Sequence, residues 1–307
     1  MGKIAFVFSG QGTQYTGMGK DLYENSPAAK DVFDRADSIR PGTSEQCFTG
    51  TTEELLQTEN TQPCVFCVDL AAARCLAECG ITPDAAAGYS LGEMAALTFA
   101  SAFSTDDGFR FVCKRAKFMQ DAAEKTQGAM AAVLKLSVSQ VECLCKEFER
   151  AYPVNFNCME QTVVSLPKSE LDAFCKAVQT AGGRPVPLKV SGGFHSPFMD
   201  EATEKLQLEL EHTEVKKTHL PVYSNVDAKP YGENPKSTIA RQVNSPVYWQ
   251  KSVENMIADG IDIFVQVGPG KTLTGMISRI SPQVHTYHVE NFADAQHAAQ
   301  EIKKKQR

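Results

Sequence analysis

The sequence predicts an α/β fold in which a small ferredoxin-like unit is inserted into a larger α/β subdomain. Residues 85–92 pass from small residues through a tight turn into an alanine-rich segment, as a strand followed by a helix does in α/β proteins. Between residues 127 and 193 the predicted elements follow the order βαββαβ, and the alternating strands and helices of the first part resume afterwards. We therefore expect a large subdomain at residues 1–126 and 194–307 and an inserted ferredoxin-like subdomain at residues 127–193.

The first part of the chain predicts alternating strands and helices. Residues 1–8 (MGKIAFVF) are typical of a buried strand, which leads into the polar glycine loop of residues 9–14 (SGQGTQ). Residues 85–88 (AAAG) are typical of a second strand. Helical patterns are predicted at residues 27–37 and 62–79, after residue 92, and at residues 106–125.

The inserted unit and the last part of the chain follow the same two patterns. In the insert we expect strands at residues 130–136, 154–156, 162–165 and 184–190, and helices at residues 139–150 and 171–181. Beyond the insert we expect helices at residues 197–211, 236–243, 250–259 and 271–279, and strands at residues 222–224 and 261–267.

Composition narrows the class of protein. The chain has 307 residues, of which 42% are hydrophobic, and a formal net charge of -6, which argues against a general nucleic-acid binder. No window holds the roughly 18 uninterrupted apolar residues of a spanning helix. The N-terminal apolar run is too short for a signal peptide. We therefore expect a soluble cytoplasmic protein with no membrane contact.

The ten cysteines fall mostly within apolar helical runs. Cys64 and Cys67 form a CxxC pair, followed by Cys75 and Cys79, and a metal or redox site is one interpretation. The spacing also suits a buried helical stripe in which cysteine acts as a small hydrophobe. We favour the stripe, because no histidine lies nearby, and we expect no metal site.

Residues 88–92 (GYSLG) match the GxSxG nucleophile-elbow pattern. Glycines on both sides let the chain turn sharply, so that the hydroxyl of Ser90 projects above the sheet. The N-terminus of the following helix favours developing negative charge. The motif alone occurs in many loops, but its position between a strand and a helix makes Ser90 a candidate nucleophile.

A serine hydroxyl needs a base at neutral pH, and His195 is the candidate among six histidines. Residues 191–197 (SGGFHSP) form a loop of glycines and proline just before a helix, where a base can be held rigidly. On spacing alone, a single loop histidine is more often structural.

Four motifs, taken in order and spacing, resemble those of malonyl-CoA:acyl carrier protein transacylases. They are residues 8–14 (FSGQGTQ), 88–93 (GYSLGE), 193–197 (GFHSP) and 267–271 (VGPGK). Weaker signatures of the same family are residues 61–63 (TQP), 154–157 (VNFN), 224–227 (SNVD) and 244–247 (NSPV). The resemblance covers nearly the whole chain, and it implies an α/β-hydrolase-like large subdomain that carries the ferredoxin-like insert.

The resemblance implies a catalytic role for five residues. Ser90 would accept the malonyl group as an ester, and His195 would be the general base for attack and the general acid for thiol departure. The main-chain carbonyl of Gln242 would hold the second nitrogen of His195. The backbone N–H groups of Gln11 and Leu91 would form the oxyanion hole.

The resemblance also implies substrate contacts. Arg115 matches the family's malonate-binding arginine, since a guanidinium binds a carboxylate through two parallel hydrogen bonds. On the sequence alone, we would favour an exposed arginine on a helix rich in lysine and arginine. Met119 would pack beside the acyl group, Asn157 would bind substrate, and the bulk of Phe194 would disfavour an α-methyl on the malonyl group.

The sequence departs from the family pattern at three places. Tyr89 stands where histidine is usual, residues 158–160 (CME) replace a Ser-Pro-Gly turn, and Gln266 stands where glutamate is common. Tyr89 alters the wall beside the nucleophile, so its effect on acyl selectivity is left open.

Three functions remain as hypotheses. The leading one is a ping-pong transferase that moves malonyl from malonyl-CoA to the phosphopantetheine thiol of an acyl carrier protein, for fatty-acid or polyketide synthesis. The alternatives are a hydrolase of acyl carrier protein thioesters and a non-catalytic carrier-docking module. The transferase needs no metal or bound cofactor, and we expect a monomer.

Overall fold

The computed structural model describes residues 2–306. Over these residues the strands are β1 (Lys3–Phe8), β2 (Ala85–Gly88), β3 (Gly128–Leu134), β4 (Tyr152–Cys158), β5 (Gln161–Pro167), β6 (Arg184–Pro187), β7 (Val222–Tyr223), β8 (Ile261–Val267) and β9 (His285–Val289).

The helices of the same residues are mostly in the large subdomain. They are α1 (Lys20–Asn25), α2 (Pro27–Ile39), α3 (Thr43–Thr49), α4 (Thr52–Leu56), α5 (Thr58–Glu78), α6 (Gly92–Phe99), α7 (Thr105–Thr126), α8 (Val138–Cys145), α9 (Leu171–Thr180), α10 (Asp200–Glu211), α11 (Lys236–Arg241), α12 (Trp249–Ala258), α13 (Thr272–Ile280) and α14 (Phe292–Gln306).

Five strands form a parallel sheet in the order β7-β2-β1-β8-β9. The central strand β1 is buried on both faces, which explains its continuous apolar sequence. Ile4, Phe6 and Phe8 point into a core shared with α2, α5, α6 and α7. Ala5 and Val7 point to the opposite side, where α12 and α13 pack. The large subdomain is therefore a sheet between two helical layers.

The other four strands form an antiparallel sheet in the order β4-β5-β3-β6. Numbered within the insert, this is the 4-1-3-2 order of a ferredoxin-like unit. Val133 and Val164 face α8 and α9 in a separate small core. Ala132 and Val163 point the other way and join the main core. The insert therefore turns one face of its sheet toward the large subdomain.

The predicted fold class is confirmed, and the differences concern the length and the number of elements. The helix predicted at residues 139–150 ends at Cys145, and the strand predicted at 184–190 ends at Pro187. The short helices α1, α3 and α4 were not predicted. All strands of the small sheet lie inside the range predicted for the insert, whose boundary residues stay a prediction.

The cysteines confirm the buried-stripe interpretation. Cys64, Cys67 and Cys75 are free thiols buried along α5, and Cys79 ends that helix. Burial raises the pKa of Cys67 well above its usual value, so this thiol stays protonated. No helix within residues 2–306 is both long and apolar enough to cross a membrane.

Candidate active site

Ser90 occupies a sharp turn between β2 and α6. Its φ of 54° is in the left-handed region that side chains rarely adopt. The flanking glycines permit the turn: a Cβ on Gly88 would lie 1.9 Å from the carbonyl carbon of Gly92, and a Cβ on Gly92 would lie 2.3 Å from the Phe8 oxygen. The residues predicted as a nucleophile elbow therefore form one.

The hydroxyl of Ser90 meets His195. Ser90 Oγ lies 2.7 Å from His195 Nε2, and His195 Nδ1 lies 2.9 Å from the main-chain oxygen of Gln242. A carbonyl can only accept, so Nδ1 carries the proton and Nε2 is free to accept the Ser90 proton. Ser90 and His195 therefore form a dyad that, together with the Gln242 carbonyl, has the arrangement that the resemblance implies.

His195 is held as a neutral imidazole. It is 3% exposed, and burial, followed by the positive charge of Arg115, lowers its pKa to about 4. At neutral pH the ring can therefore accept a proton from Ser90.

The predicted oxyanion hole has two available donors. Within residues 2–306, the backbone N–H groups of Gln11 and Leu91 donate to no protein acceptor. The N–H of Ser90, next to Leu91 in the turn, is occupied by Asn225 Oδ1 at 2.8 Å. The N–H groups of Gln11 and Leu91 are therefore free to donate to an oxyanion.

Arg115 is fully buried on α7, so the exposed-arginine interpretation is wrong. Its Nη1 donates to Gln62 Oε1 at 2.6 Å and its Nη2 donates to Gln242 Oε1 at 2.8 Å. Its Nε has no partner, and no carboxylate of residues 2–306 forms an ion pair with it. Burial lowers the pKa of Arg115 to about 10, so it stays a cation at neutral pH.

A cavity of about 240 Å³ opens beside the dyad. Its lining includes the predicted residues Gln11, Ser90, Met119, Asn157, Phe194 and His195. The insert contributes an apolar wall from Met130, Ala132 and Val163. Arg115 does not line the cavity; it lies one helical turn from the cavity residue Met119 and donates to Gln62 and Gln242.

Tyr89 bridges the two subdomains. Its hydroxyl donates to Asn157 Oδ1 at 2.7 Å, and its ring packs edge-on against Trp249 with centroids 5.7 Å apart. Burial raises the pKa of Tyr89, so the phenol stays neutral. The unusual tyrosine therefore forms a fixed wall of the cavity.

Sequence reasoning missed four residues around this site. Gln62 binds Arg115, Asn225 binds the elbow, and Glu93 with Tyr231 supports Asn225. It also missed the side chain of Gln242, whose Nε2 donates to the Ser90 carbonyl at 2.7 Å. Residues 61–63 and 224–227 had appeared as shared signatures without a role, which was the available signal.

A larger groove of about 470 Å³ lies between α8 and Tyr248. It is lined by Glu142, Lys146 and apolar residues, including the stacked rings of Phe156 and Tyr248. Its lining includes the thiol of Cys145, whose pKa burial raises to about 12, and no serine–histidine pair, so we assign the chemistry to the smaller cavity beside Ser90.

One group in the described chain has donor atoms near enough to hold a metal. Ligand atoms of His288, Glu290 and Asp294 lie within 4.8 Å of one another. Glu290 already accepts from the Gly270 N–H at 2.9 Å and from the Tyr15 hydroxyl at 3.2 Å. The expectation that the reaction needs no metal or cofactor stays a prediction.

Comparison with known proteins identifies clear relatives. The family model for the acyl transferase domain matches residues 5–305. A malonyl CoA-acyl carrier protein transacylase of Bacillus subtilis (strain 168) is 39% identical over 311 residues, which cover 99% of this chain and 98% of the relative.

Solved structures agree with the sequence comparison. The malonyl CoA-acyl carrier protein transacylase of Clostridium perfringens is similar with a TM-score of 0.95 and 32% identity, over 99% of this chain and 98% of that one. A malonyl-transacylase in complex with its type II polyketide synthase acyl-carrier protein is similar with a TM-score of 0.94 and 32% identity, over 97% and 99% of the two chains.

Proposed function

The chain belongs to the acyl transferase domain family, and we propose that it carries malonyl from malonyl-CoA to an acyl carrier protein through an ester on Ser90. The phosphopantetheine thiol of the carrier is the acceptor, and the product serves fatty-acid or polyketide synthesis. The observation that carries this proposal is the buried Arg115, a cation beside the dyad with no carboxylate partner within residues 2–306.

In the first half-reaction, Ser90 Oγ attacks the thioester carbonyl of malonyl-CoA while Nε2 of His195 takes the hydroxyl proton. Negative charge develops on the carbonyl oxygen, and the N–H groups of Gln11 and Leu91 donate to it. The intermediate collapses with loss of the CoA sulfur, which His195 protonates. Malonyl is left as an ester on Ser90.

In the second half-reaction, the carrier thiol replaces CoA and the same steps run in reverse. His195 takes the thiol proton, the thiol attacks the ester carbonyl, and Ser90 leaves with the proton from His195. The Gln242 carbonyl keeps the imidazole in one tautomer through both halves. A thiolate leaves more easily than an amide nitrogen, so a dyad without a carboxylate is sufficient.

Arg115 would recognise the free carboxylate of malonyl. Burying a cation is unfavourable unless it is paired and hydrogen-bonded, and here its Nη groups have only two neutral amide partners. Burial lowers the pKa of Arg115, and the charge of Glu93 raises it without an ion pair between the two. A substrate carboxylate beside Met119 would therefore supply the direct partner, including one for the Nε–H. Simple acyl chains offer no such group.

Intact-protein mass spectrometry tests the proposal directly. Mixing the protein with malonyl-CoA should add the mass of one malonyl group, and Ser90→Ala should abolish the adduct. Adding a phosphopantetheinylated carrier protein should then move the malonyl group to the carrier. A wild-type protein that forms no adduct, or an adduct that survives Ser90→Ala, would contradict the proposed function.

Exposed basic residues near the cavity mouth are a suitable docking surface for an acidic carrier protein. Lys189 lies between the cavity residues Leu188 and Val190, and Lys271 precedes Thr272. Arg279 donates to the cavity residue Gln161 at 3.1 Å.

Reversing these charges should separate docking from loading. Lys189→Glu with Lys271→Glu should raise the KM for carrier protein, because attraction between the opposite charges is lost. Loading from a malonyl-N-acetylcysteamine thioester, which lacks phosphates, should not change. An unchanged carrier KM would exclude this surface.

Two expectations belong with this proposal and need their own measurements. We propose a monomer, which light scattering on the purified protein tests. We also propose a cytoplasmic location, which cell fractionation tests.

A further inference from the structure

The backbone of the nucleophile elbow is strained at Ser90, so neighbouring groups must stabilise its conformation. Ser90 has a φ of 54°, a left-handed conformation that is unfavourable for a residue with a side chain. A strained turn keeps one geometry only where neighbouring groups fix its polar atoms. The relevant atoms are the N–H of Ser90 and the carbonyl of Gly88, on either side of Tyr89.

One side chain binds both atoms. Asn225 Oδ1 accepts from the Ser90 N–H at 2.8 Å, and Asn225 Nδ2 donates to the Gly88 oxygen at 2.7 Å. Asn225 is fully buried, so water does not compete for these bonds. A primary amide offers a donor and an acceptor at once, and here it uses both on the same turn.

The sheet order brings Asn225 to this place. Strand β7 lies parallel to β2, with Ala86 paired to Val222 and Ala87 paired to Tyr223. Continuing the register places residue 225 beside the turn that follows β2. The two strands therefore end together, one in the nucleophile turn and the other in the loop that clamps it.

The buried carboxyl group of Glu93 holds Asn225 in place. Glu93 Oε2 accepts from the backbone N–H of Asn225 at 2.7 Å, and Glu93 Oε1 accepts from the Tyr231 hydroxyl. Glu93 lies in the first turn of α6, so the helix that follows Ser90 also anchors Asn225.

The clamp also selects which amides face the reaction. Because Asn225 occupies the Ser90 N–H, that group cannot donate to an oxyanion, and Leu91 and Gln11 remain available. A shift of the turn would displace both Ser90 Oγ and the Leu91 N–H together.

We propose that Asn225 is a positioning residue that holds Ser90 Oγ and the Leu91 N–H in reactive geometry by clamping both sides of the elbow. This inference rests on the proposed function, because it assigns Ser90 as the nucleophile. It gives a role to the 224–227 segment, which has no contact with substrate in the mechanism above.

The test compares Asn225→Ala with Asn255→Ala in the full chain. Asn255 is a matched control, since its Nδ2 donates to the Ala228 carbonyl of the same loop region at 2.8 Å and does not contact the elbow. Two rates are measured, Ser90 loading from malonyl-CoA and Ser90 labelling by a fluorophosphonate, which needs no carboxylate recognition. Thermal unfolding reports stability for each variant.

Asn225→Ala should slow both rates by about 10–100-fold, as displacement of a reacting group does, with little change in the malonyl-CoA concentration at half-saturation. Asn255→Ala should keep both rates near wild type at a similar loss of stability. Wild-type rates in folded Asn225→Ala, or equal losses in both variants, would overturn the proposal.

Two further results are also decisive. If Asn225→Ala does not fold, Asn225→Asp, which keeps the acceptor and loses the donor to Gly88, should still slow fluorophosphonate labelling; an unchanged rate would overturn the proposal. A wild-type Ser90 that reacts with the fluorophosphonate and not with malonyl-CoA would contradict the proposed function alone. The labelling rates would then still decide the role of Asn225.

Discussion

The parallel sheet and the inserted antiparallel sheet line the same cavity with different kinds of side chain. The large subdomain supplies Ser90 and His195 to the lining and holds the buried Arg115 outside it; the hydrogen bonds of these three residues are 2.6–2.9 Å long. The insert supplies mainly the apolar side chains of Met130, Ala132 and Val163, and its one polar partner of the elbow is Asn157.

The difference indicates that the two subdomains have different roles at the cavity. The nucleophile Ser90 lies at the carboxyl end of the parallel strand β2, where α/β proteins usually place their sites, and His195 reaches it from the loop before α10. The insert covers this region with the apolar wall of Met130, Ala132 and Val163. Changes to Ser90 and His195 should therefore alter the rate for every acyl group, and changes to this wall should alter discrimination by acyl size. Recognition of the malonyl carboxylate is assigned separately to Arg115.

Removing the base should have the largest effect. His195→Ala should lower the rate of Ser90 loading by about 10²–10⁴-fold, because the serine then has no proton acceptor. The KM for malonyl-CoA should change little, since Arg115 is retained. His212→Ala, a change at the exposed end of α10, is the control, and a small effect at His195 would contradict its role as base.

The low pKa of His195 should appear in the pH profile. Burial and the charge of Arg115 lower this pKa to about 4, so kcat/KM should fall only as the pH drops toward 4. An exposed histidine would instead protonate near pH 6.5. Burial also raises the pKa of Glu93 to about 7, so Glu93→Gln is measured as well to remove that titration. An acid limb near 6.5 in both proteins would contradict a buried neutral His195.

Two neighbouring valines of β5 should separate selectivity from stability. Val163 lines the cavity and Val164 faces the insert's own core, and both are buried. Val163→Ala should raise kcat/KM for methylmalonyl-CoA relative to malonyl-CoA by about 10-fold or more, since one methyl is worth about 1–3 kcal/mol. Val164→Ala should lose similar stability without changing the ratio, and equal ratios in both variants would contradict the assigned wall.

The bridge between subdomains should have the smallest effect. Tyr89→Phe removes one hydrogen bond, that to Asn157, and keeps the ring against Trp249. A net hydrogen bond is worth about 0.5–1.5 kcal/mol, so the malonyl-to-acetyl ratio should change about 2–10-fold in steady-state assays. A change larger than that of Val163→Ala would mean that Tyr89, and not the apolar wall, dominates selectivity.

Much of the fold could be predicted because its signals are local. The alternation of strands and helices, the βαββαβ order and the turn at Ser90 all lie within short stretches of sequence. Helices such as α1 and α4, with six and five residues, are too short to show a hydrophobic period. The sheet order depends on pairing between distant segments, which local patterns do not contain.

The same distinction between local and long-range signals applies to the residues of the site. The motifs identified Ser90 and His195, and the resemblance supplied the carbonyl of Gln242. The side-chain amides that complete the site bind residues that are distant in the sequence. Gln62 binds Arg115, 53 positions away, and Asn225 binds Ser90, 135 positions away. Such pairs follow from the packing of α5 on α7 and of β7 on β2, so only the structure could show them.

In the proposed mechanism, the large subdomain recognises the malonyl carboxylate through Arg115. The most direct test of this recognition is the ratio of Ser90 loading rates from malonyl-CoA and acetyl-CoA in Arg115→Met, with Arg110→Met on the exposed face of the same helix as control. Arg115→Met should lower malonyl loading by about 10²-fold, as loss of a buried bidentate ion pair does, with acetyl loading nearly unchanged and Arg110→Met like wild type. Equal losses for malonyl and acetyl would contradict this role of Arg115.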